Sequence, residues 1–257
     1  MDVRWFQWFC RRVAVTDFIT GLQFLTRIRF VRQSEWTPQS FGESVKFFPL
    51  IGLVIGLVLY GFAYIAAERL PIHLFTAAII VLEIALTGGL HCDGFMDTMD
   101  GLFSGRSRER MLEIMKDSRV GANGVVGFLC LLLIKGSVLL DLPQAQLLAA
   151  LLIAPVVGRL AMVIGITSFP YARPEGMGKA FAQYADRFSL GFAAVSSLII
   201  VSLVGPVYLI SSMIGLAVAV SFACYVTRVL GGLTGDIYGA LTEITQAAVF
   251  LSVVLIG

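Results

Sequence analysis

The sequence predicts an all-α integral membrane protein: a polytopic helical bundle with about seven transmembrane helices and an N-terminal interfacial helix, in a single domain over residues 1–257. Of the residues, 58% are hydrophobic and only 14% are charged, whereas a soluble domain carries about a quarter charged residues. The apolar residues also form blocks of ~20 residues, the length of helix that crosses the hydrocarbon core of a bilayer. Both observations indicate a lipid bilayer as the protein's environment.

The first predicted element is an interfacial helix over residues 13–30. Helical spacing places Phe18, Leu22 and Leu25 on one face, and the charged side chains of this segment lie elsewhere. An amphipathic helix of this kind lies at the membrane surface. The aromatic residues that precede it are Trp5, Phe6, Trp8 and Phe9.

Seven apolar segments follow, and each is predicted to span the membrane. The fifth and sixth meet at Gly205 and Pro206, which favour a tight hairpin. The seventh is interrupted by polar residues, including Glu243. The predicted spans are residues 47–67, 71–91, 122–142, 144–167, 188–205, 206–227 and 237–257.

The distribution of basic residues predicts the orientation. With seven spans and a cytoplasmic N-terminus, one side of the membrane receives Arg69 alone among the lysines and arginines of its loops. The other side receives the long loops 92–121 and 168–187 with their basic residues. The positive-inside rule places these two loops in the cytoplasm. We therefore expect a multi-pass protein of the cell inner membrane whose active site faces the cytoplasm.

Charge and cysteine content narrow the classes of function. A net charge of +2 gives no global argument for binding nucleic acid. The four cysteines are scattered, without a CxxC pair, so they indicate small apolar residues rather than disulfides or a zinc site.

Three aspartates after the second span carry the main functional signal. Asp93, Asp97 and Asp100 are spaced i, i+4 and i+7, which places their carboxylates on one face of a helix continuing out of that span. Like charges on one stripe repel unless a cation lies between them. Magnesium suits such oxygens and usually binds one or two carboxylates plus substrate phosphates. The spacing predicts catalytic aspartates that bind Mg²⁺; the alternative is a solvated acidic face beside the membrane.

Residues around these aspartates suggest a site for a phosphorylated substrate. Arg106 and Arg119 are candidates to hold phosphate oxygens bidentately. Asp117 is a further substrate-binding candidate, although Asp117 and Arg119 could instead pair with each other on an exposed loop. His91, two residues before Asp93, is either a catalytic base or ligand, or a hydrogen-bonded structural residue.

Charges inside the predicted spans are functional candidates because they are costly in lipid. Glu83 lies ~15 Å along a continuous helix from Asp93, too far to share its ion. Arg159 lies in the fourth span. Both are candidate substrate contacts, and ion pairing within the bundle is the alternative. Asp236, in a second glycine-rich segment over residues 231–243, either supplies another acid to the same site or belongs to a flexible turn.

The chain resembles the cobalamin synthase family, adenosylcobinamide-GDP ribazoletransferase. The resemblance rests on LTGGLHCDGFMDTMDGLFSG, followed by MKDSRVGANG, and on FLTRI (24–28), FPLIG (48–52), YARPEGMGKAF (171–181) and GGLTGDIYGA (231–240). These motifs occur in the family's order and cover almost the whole chain. One departure is Arg29, where the family pattern has a proline.

This resemblance implies a specific reaction. The family joins α-ribazole, or its 5′-phosphate, to adenosylcobinamide-GDP with magnesium, giving adenosylcobalamin or its phosphate and releasing GMP. A ribose hydroxyl attacks the phosphorus nearest the corrinoid. The matching positions imply that Asp93, Asp97 and Asp100 bind the metal, with His91 or one of these acids as base. Arg119, Arg173 and Lys179 are then candidate phosphate or guanosine contacts.

Two other functions compete with this interpretation. Asp97, Asp100 and Gly101 begin like the motif of the CDP-alcohol phosphotransferases, but the remaining G-x3-D-x3-D does not follow. A transporter would use the charges inside the spans to line its path, but no convincing inverted repeat is present and the acids lie at the end of a span. A homo-oligomer, or a complex with other enzymes of the same pathway, is a further hypothesis.

Overall fold

The described residues form an all-α bundle, as predicted, with no β-strand among them. The computed structural model describes residues 15–31 and 36–257, so Trp5, Phe6, Trp8, Phe9 and the start of the predicted interfacial helix lie outside the described residues. The helices are α1 (15–25), α2 (Pro38–Ser44), α3 (Phe48–Ala66), α4 (Ile72–Thr87), α5 (Leu90–Leu102), α6 (Arg108–Ile114), α7 (Ala122–Asp141), α8 (Gln144–Ser168), α9 (Met177–Tyr184), α10 (Arg187–Ser202), α11 (Pro206–Leu230) and α12 (Gly235–Ile256).

Six segments of the described chain are long and apolar enough to cross a membrane. A seventh exists if α4 and α5 are counted together. This agrees with the prediction of about seven transmembrane helices. The six segments are Pro38–Ala66, Ala122–Asp141, Gln144–Ser168, Arg187–Val204, Pro206–Leu230 and Gly235–Ile256.

The predicted second span is broken in the structure. Helix α4 ends at Thr87, and α5 leaves it at an angle of 92°. Gly88 and Gly89 have φ values of 65° and 74°, the left-handed conformation that glycine adopts without steric cost. Two successive left-handed residues cannot continue a right-handed helix, and the turn that they form directs α5 at nearly a right angle to α4. The expectation that one helix continues from this span through the aspartates is therefore wrong.

Helix α1 is shorter than the predicted helix over residues 13–30. It ends at residue 25, and the chain over residues 26–31 is not helical. The hydroxyl of Thr26 donates to the Leu22 carbonyl and accepts from the Ile28 N–H, which satisfies backbone groups at the end of the helix. Leu22 and Leu25 are buried against the bundle. The basic residues after them consequently belong to an irregular segment, not to α1.

Helix α8 lies in the centre of the bundle. It contacts α3, α10, α11 and α12, and most of its side chains are buried. Small residues allow the close approach of α3: a Cβ atom at Gly52 or Gly56 would collide with the backbone of α8. Glycines spaced in this way let helix backbones pack closely in membrane proteins. The predicted hairpin is also present, since α10 ends at Ser202 and α11 begins at Pro206.

Candidate active site

A cavity of about 270 Å³ lies where α5 and α12 meet the loop before α9. Its walls combine aromatic and aliphatic side chains with a small polar set. The apolar walls include Phe24, Leu25, Phe48, Met162, Ile166 and Phe181. The polar lining consists of His91, Asp93, Tyr171, Arg173, Asp236 and Tyr238.

Two glycines bring α5 and α12 close enough to share this cavity. A Cβ atom at Gly94 would lie 2.6 Å from the carbonyl oxygen of Asp236, and one at Gly239 would lie 3.2 Å from Cα of His91. The contact at Gly94 is too close for a larger residue without displacement of a helix, and the contact at Gly239 is tight enough to require a shift of a few tenths of an ångström. The backbones therefore approach each other at this point, and this approach places Asp93 and Asp236 in one cavity.

The three sequence-predicted aspartates of α5 have different surroundings. Asp93 is solvent-accessible and lines the cavity, Asp97 is half-buried, and Asp100 is buried. Both carboxylate oxygens of Asp100 are engaged, because they accept the N–H groups of Gly121 and Gly124 at 2.7 Å each. These N–H groups belong to the start of α7, so Asp100 caps that helix. Within the described residues, no group of three or more His, Cys, Asp or Glu side chains is arranged to hold a metal ion.

Asp236 supplies the carboxylate that the cavity does not receive from Asp100. Its Oδ2 lies 2.7 Å from Nη2 of Arg173 and 3.2 Å from the Thr234 hydroxyl, which donates to it. Asp97 is close enough to interact electrostatically with Asp236 and Asp93, which repel its negative charge, and with Arg173, which attracts it. Asp93, Asp97 and Asp236 therefore make up the negative region of the site, with one arginine beside it.

The loop before α9 holds Tyr171 and Arg173 over the cavity. The Ala172 N–H donates to the Leu233 carbonyl, and the Leu233 N–H donates to the Pro170 carbonyl, both at 2.8 Å. These bonds fix the loop to the segment that begins α12. Burial raises the pKa of Tyr171, and the charge of Arg173 partly opposes this shift. The phenol therefore remains protonated near neutral pH and can donate a hydrogen bond.

His91 is placed as a hydrogen-bond donor. The ring is only 1% exposed, and its Nδ1 lies 3.4 Å from Nη2 of Arg159. Because a guanidinium group can only donate, Nδ1 accepts, and a neutral ring carries its proton on Nε2. Among the described residues Nε2 has no hydrogen-bond partner. This arrangement presents an N–H group, whereas the base predicted from the sequence would require a free lone pair.

Glu83 lies in a buried ion network rather than in the cavity. Lys135 Nζ donates to Glu83 at 3.1 Å and to Glu243 at 3.0 Å, and all three side chains are buried. Arg159, which is fully buried, adds a second positive charge nearby. Two carboxylates and two cationic side chains thus balance one another's charge inside the bundle. The sequence predicts either a substrate contact or an ion pair within the bundle for Glu83, and the structure shows the ion pair.

Four predicted substrate contacts lie away from the cavity wall. Asp117 and Arg119 form an exposed ion pair at 3.1 Å, and hydrogen bonds from Arg119 lower the pKa of Asp117. Arg106 is exposed on the same long loop. Lys179 is exposed on α9, where its ammonium group donates to the Pro174 carbonyl.

A second, larger cavity of about 740 Å³ adjoins the first. Four residues line both cavities, namely Phe24, Leu90, Asp93 and Met177. Arg27 and Arg29 lie in the wall of the larger cavity, in the irregular segment after α1. Both arginines fall within residues 13–30, which the sequence predicts to be one interfacial helix, and neither is among the predicted site residues. The FLTRI motif was the available signal for Arg27.

The bundle and its acidic cavity define a polytopic, all-helical membrane protein with a carboxylate and arginine site suited to phosphate chemistry. The chain belongs to the cobalamin-5-phosphate synthase family, whose model matches residues 17–254. It is 36% identical over 239 residues to the adenosylcobinamide-GDP ribazoletransferase of Clostridium acetobutylicum, covering 91% of this chain and 94% of the relative. The enzyme of the same name from Syntrophobacter fumaroxidans is 40% identical over 239 residues, covering 90% and 95%. The one from Desulforamulus reducens is 39% identical over 242 residues, covering 91% and 94%. No solved structure matches the chain.

Proposed function

We propose that the protein joins α-ribazole, or its 5′-phosphate, to adenosylcobinamide-GDP and releases GMP. The family membership and the names of the relatives support this reaction. The observation that carries it is the arrangement of Asp93 and Asp236 beside Arg173 at one cavity, with the carboxylate of Asp97 close to all three. Phosphate transfer needs negative groups that hold a cation and a positive group that holds phosphate oxygens. This cavity provides both.

The donor set of the cavity fits a magnesium ion. Asp93 and Asp236 in its wall, with Asp97 nearby on α5, supply hard carboxylate oxygens. Asp100 is already engaged by the start of α7. Magnesium seldom binds in an all-protein cage and usually combines one or two carboxylates with water and substrate phosphates. A site of few carboxylates that the substrate's diphosphate completes is therefore in keeping with this ion. When bound, magnesium supplies charge neutralisation for the phosphate oxygens.

The protein's own residues then have separate roles. The ribose hydroxyl of the nucleoside forms a bond to the phosphorus nearest the corrinoid, and the bond from that phosphorus to GMP breaks. A carboxylate that does not hold the cation accepts the proton of the attacking hydroxyl. Asp93 is placed for this role because it is solvent-accessible, which leaves Asp97 and Asp236 for the cation. Arg173 holds phosphate oxygens, since its Nε has no hydrogen-bond partner among the described residues. The Nε2–H of His91 and the Tyr171 hydroxyl are available to orient the substrate.

We place the cavity at the cytoplasmic face of the inner membrane. The asymmetry of basic residues supports this orientation, since Arg69 is the only lysine or arginine in the loops of the opposite side. A reporter fused after Gly257 and one inserted at residues 68–70 should report the same side of the membrane if the chain has seven crossings, and a reporter inserted in the loop 92–121 should report the opposite, cytoplasmic side.

The direct test is turnover by purified protein in detergent. We expect release of GMP and a new cobalamin species from adenosylcobinamide-GDP and α-ribazole. We expect both to stop when magnesium is removed with a chelator and to resume when it is restored. Folded protein that forms no product from these substrates would exclude the proposed reaction. Turnover of a CDP-alcohol lipid precursor in the same preparation would favour a phospholipid-type transferase.

A further inference from the structure

Two cavities of different size and chemistry meet at Asp93, and the proposed reaction has two substrates of different size and chemistry. The smaller cavity measures about 270 Å³ and the larger about 740 Å³. Asp93, Leu90, Phe24 and Met177 form the wall that the two cavities share. A bond that forms between ligands of the two cavities would therefore form beside Asp93.

The smaller cavity has the chemistry of a site for an apolar nucleoside. Its walls are dominated by aromatic rings and aliphatic side chains, which stack on and surround a flat apolar base. Apart from the Arg173 guanidinium, which faces Asp236, two buried polar atoms of this wall have no hydrogen-bond partner among the described residues, the Tyr238 hydroxyl and Nε2 of His91. Ribose hydroxyl groups would satisfy both. A guanine base fits less well, because burying its several polar edge atoms requires as many partners.

The larger cavity has the chemistry of a site for a large anionic ligand. Arg27 and Arg29 are exposed in its wall, and neither forms a salt bridge within the described part of the chain. The Arg27 N–H donates to the Leu86 carbonyl at 2.7 Å, which fixes this basic segment to the end of α4. Trp36, Phe41 and Phe128 add apolar surface. Free guanidinium groups beside apolar walls suit a bulky amphipathic molecule that bears a diphosphate.

We infer that the two substrates occupy separate cavities: the α-ribazole nucleoside binds in the smaller one and the corrinoid in the larger one, and the diphosphate of the corrinoid substrate lies at the wall they share, beside Asp93 and between the arginines of the larger cavity and Arg173 of the smaller one. This inference rests on the proposed function. The attacking ribose hydroxyl then approaches the Asp93 carboxylate from one side, and the phosphorus that it attacks approaches from the other. This inference also assigns a substrate contact to Arg29, at the position where the family pattern has a proline.

The test compares Michaelis constants for both substrates in three variants. Tyr238→Phe removes only an unpartnered hydroxyl in the smaller cavity, and Arg29→Gln removes an exposed charge in the larger one, so neither change is expected to impair folding. Arg69→Gln, an exposed arginine on the opposite side, is the matched control. We expect Tyr238→Phe to raise the KM for α-ribazole about fivefold, the loss of one neutral hydrogen bond. We expect Arg29→Gln to raise the KM for adenosylcobinamide-GDP about tenfold, the loss of one charge-assisted contact.

In each variant the KM for the other substrate should stay at the wild-type value, as should both constants in the control. Turnover in which both constants rise together, or in which the two effects are exchanged, would overturn the separate assignment while the proposed function stands. Absence of turnover in folded wild-type protein would overturn the proposed function itself.

Equilibrium dialysis of labelled α-ribazole against the purified protein gives a second measurement without the corrinoid. We expect 5,6-dimethylbenzimidazole to displace the label and guanosine to leave it bound. Displacement by guanosine alone would show that the smaller cavity takes the guanosine part of the other substrate, contrary to the assignment.

Discussion

Arg173 and Asp236 form an ion pair with 2.7 Å between Nη2 and Oδ2, and this pair joins the loop before α9 to the first turn of α12. The pair positions an arginine and a carboxylate at one cavity, although the two residues lie on segments far apart in the chain. Each side chain restricts the other, so that both keep one orientation toward a bound phosphate. The charge of Asp236 therefore matters for the position of Arg173 as well as for cation binding.

The first prediction is that Asp236→Asn lowers kcat/KM by about 100-fold, because the site loses a charge that holds both the cation and Arg173. Turnover of purified protein at several magnesium concentrations measures the effect. Glu68→Gln removes an exposed charge outside both cavities and should behave as wild type. Wild-type turnover by the Asp236 variant would exclude this carboxylate from the site.

The second prediction separates Asp100 from Asp97. Asp100→Ala should cost about 1–2 kcal/mol in free energy of unfolding, because the N–H groups of Gly121 and Gly124 lose their acceptor. The magnesium concentration that gives half-maximal turnover should not change in this variant, whereas Asp97→Asn should raise it. Denaturant unfolding in detergent and a magnesium titration measure the two effects. A raised magnesium requirement in the Asp100 variant would support the ligand role that the sequence spacing predicts.

These two aspartates illustrate what local sequence can and cannot predict. The membrane spans were predictable because a span is a continuous apolar run, and the hydrocarbon core imposes its length. The capping role of Asp100 was not predictable, because a spacing of i, i+4 and i+7 identifies a helix face but not the residues that pack against it. The capping partners Gly121 and Gly124 reach Asp100 through tertiary packing. The pairing of Asp236 with Arg173 is non-local in the same way.

The sequence predicts two helix boundaries wrongly, the break between α4 and α5 and the end of α1. Both have local causes that are partly visible in the sequence. Two adjacent glycines at positions 88 and 89 are a turn signal, but the apolar run through α4 favoured a helix across them. The end of α1 at residue 25 depends on the hydroxyl of Thr26, which bonds to the backbone on both sides. Side-chain competition of this kind is common for threonine near helix ends. Its effect here was to place Arg27 and Arg29 in a cavity wall.

The third prediction concerns the buried ion network of Glu83, Lys135 and Glu243. Lys135→Met should destabilise the protein by about 3–5 kcal/mol, because it leaves two buried carboxylates without their shared partner. The double variant Glu83→Gln/Lys135→Met removes one of these charges and should recover part of the loss, since Arg159 remains to balance Glu243. Thermal unfolding in detergent compares the three proteins. A double variant less stable than Lys135→Met would contradict the charge-balance argument.

The fourth prediction tests the close approach of α5 and α12 at Gly94. A methyl group at this position would lie 2.6 Å from the Asp236 carbonyl oxygen, so Gly94→Ala must push the helices apart or move Asp236. Displacements of about 1 Å at a catalytic site can cost 100-fold in rate, and we expect a loss of kcat of that order. Gly61→Ala is the matched control on α3, because a Cβ atom there meets no other atom within 4 Å. It should fold and turn over as wild type, and be slightly more stable since alanine favours helix. Equal activity of the two variants would show that the site tolerates separation of α5 from α12, and that Asp93 and Asp236 do not need their present spacing.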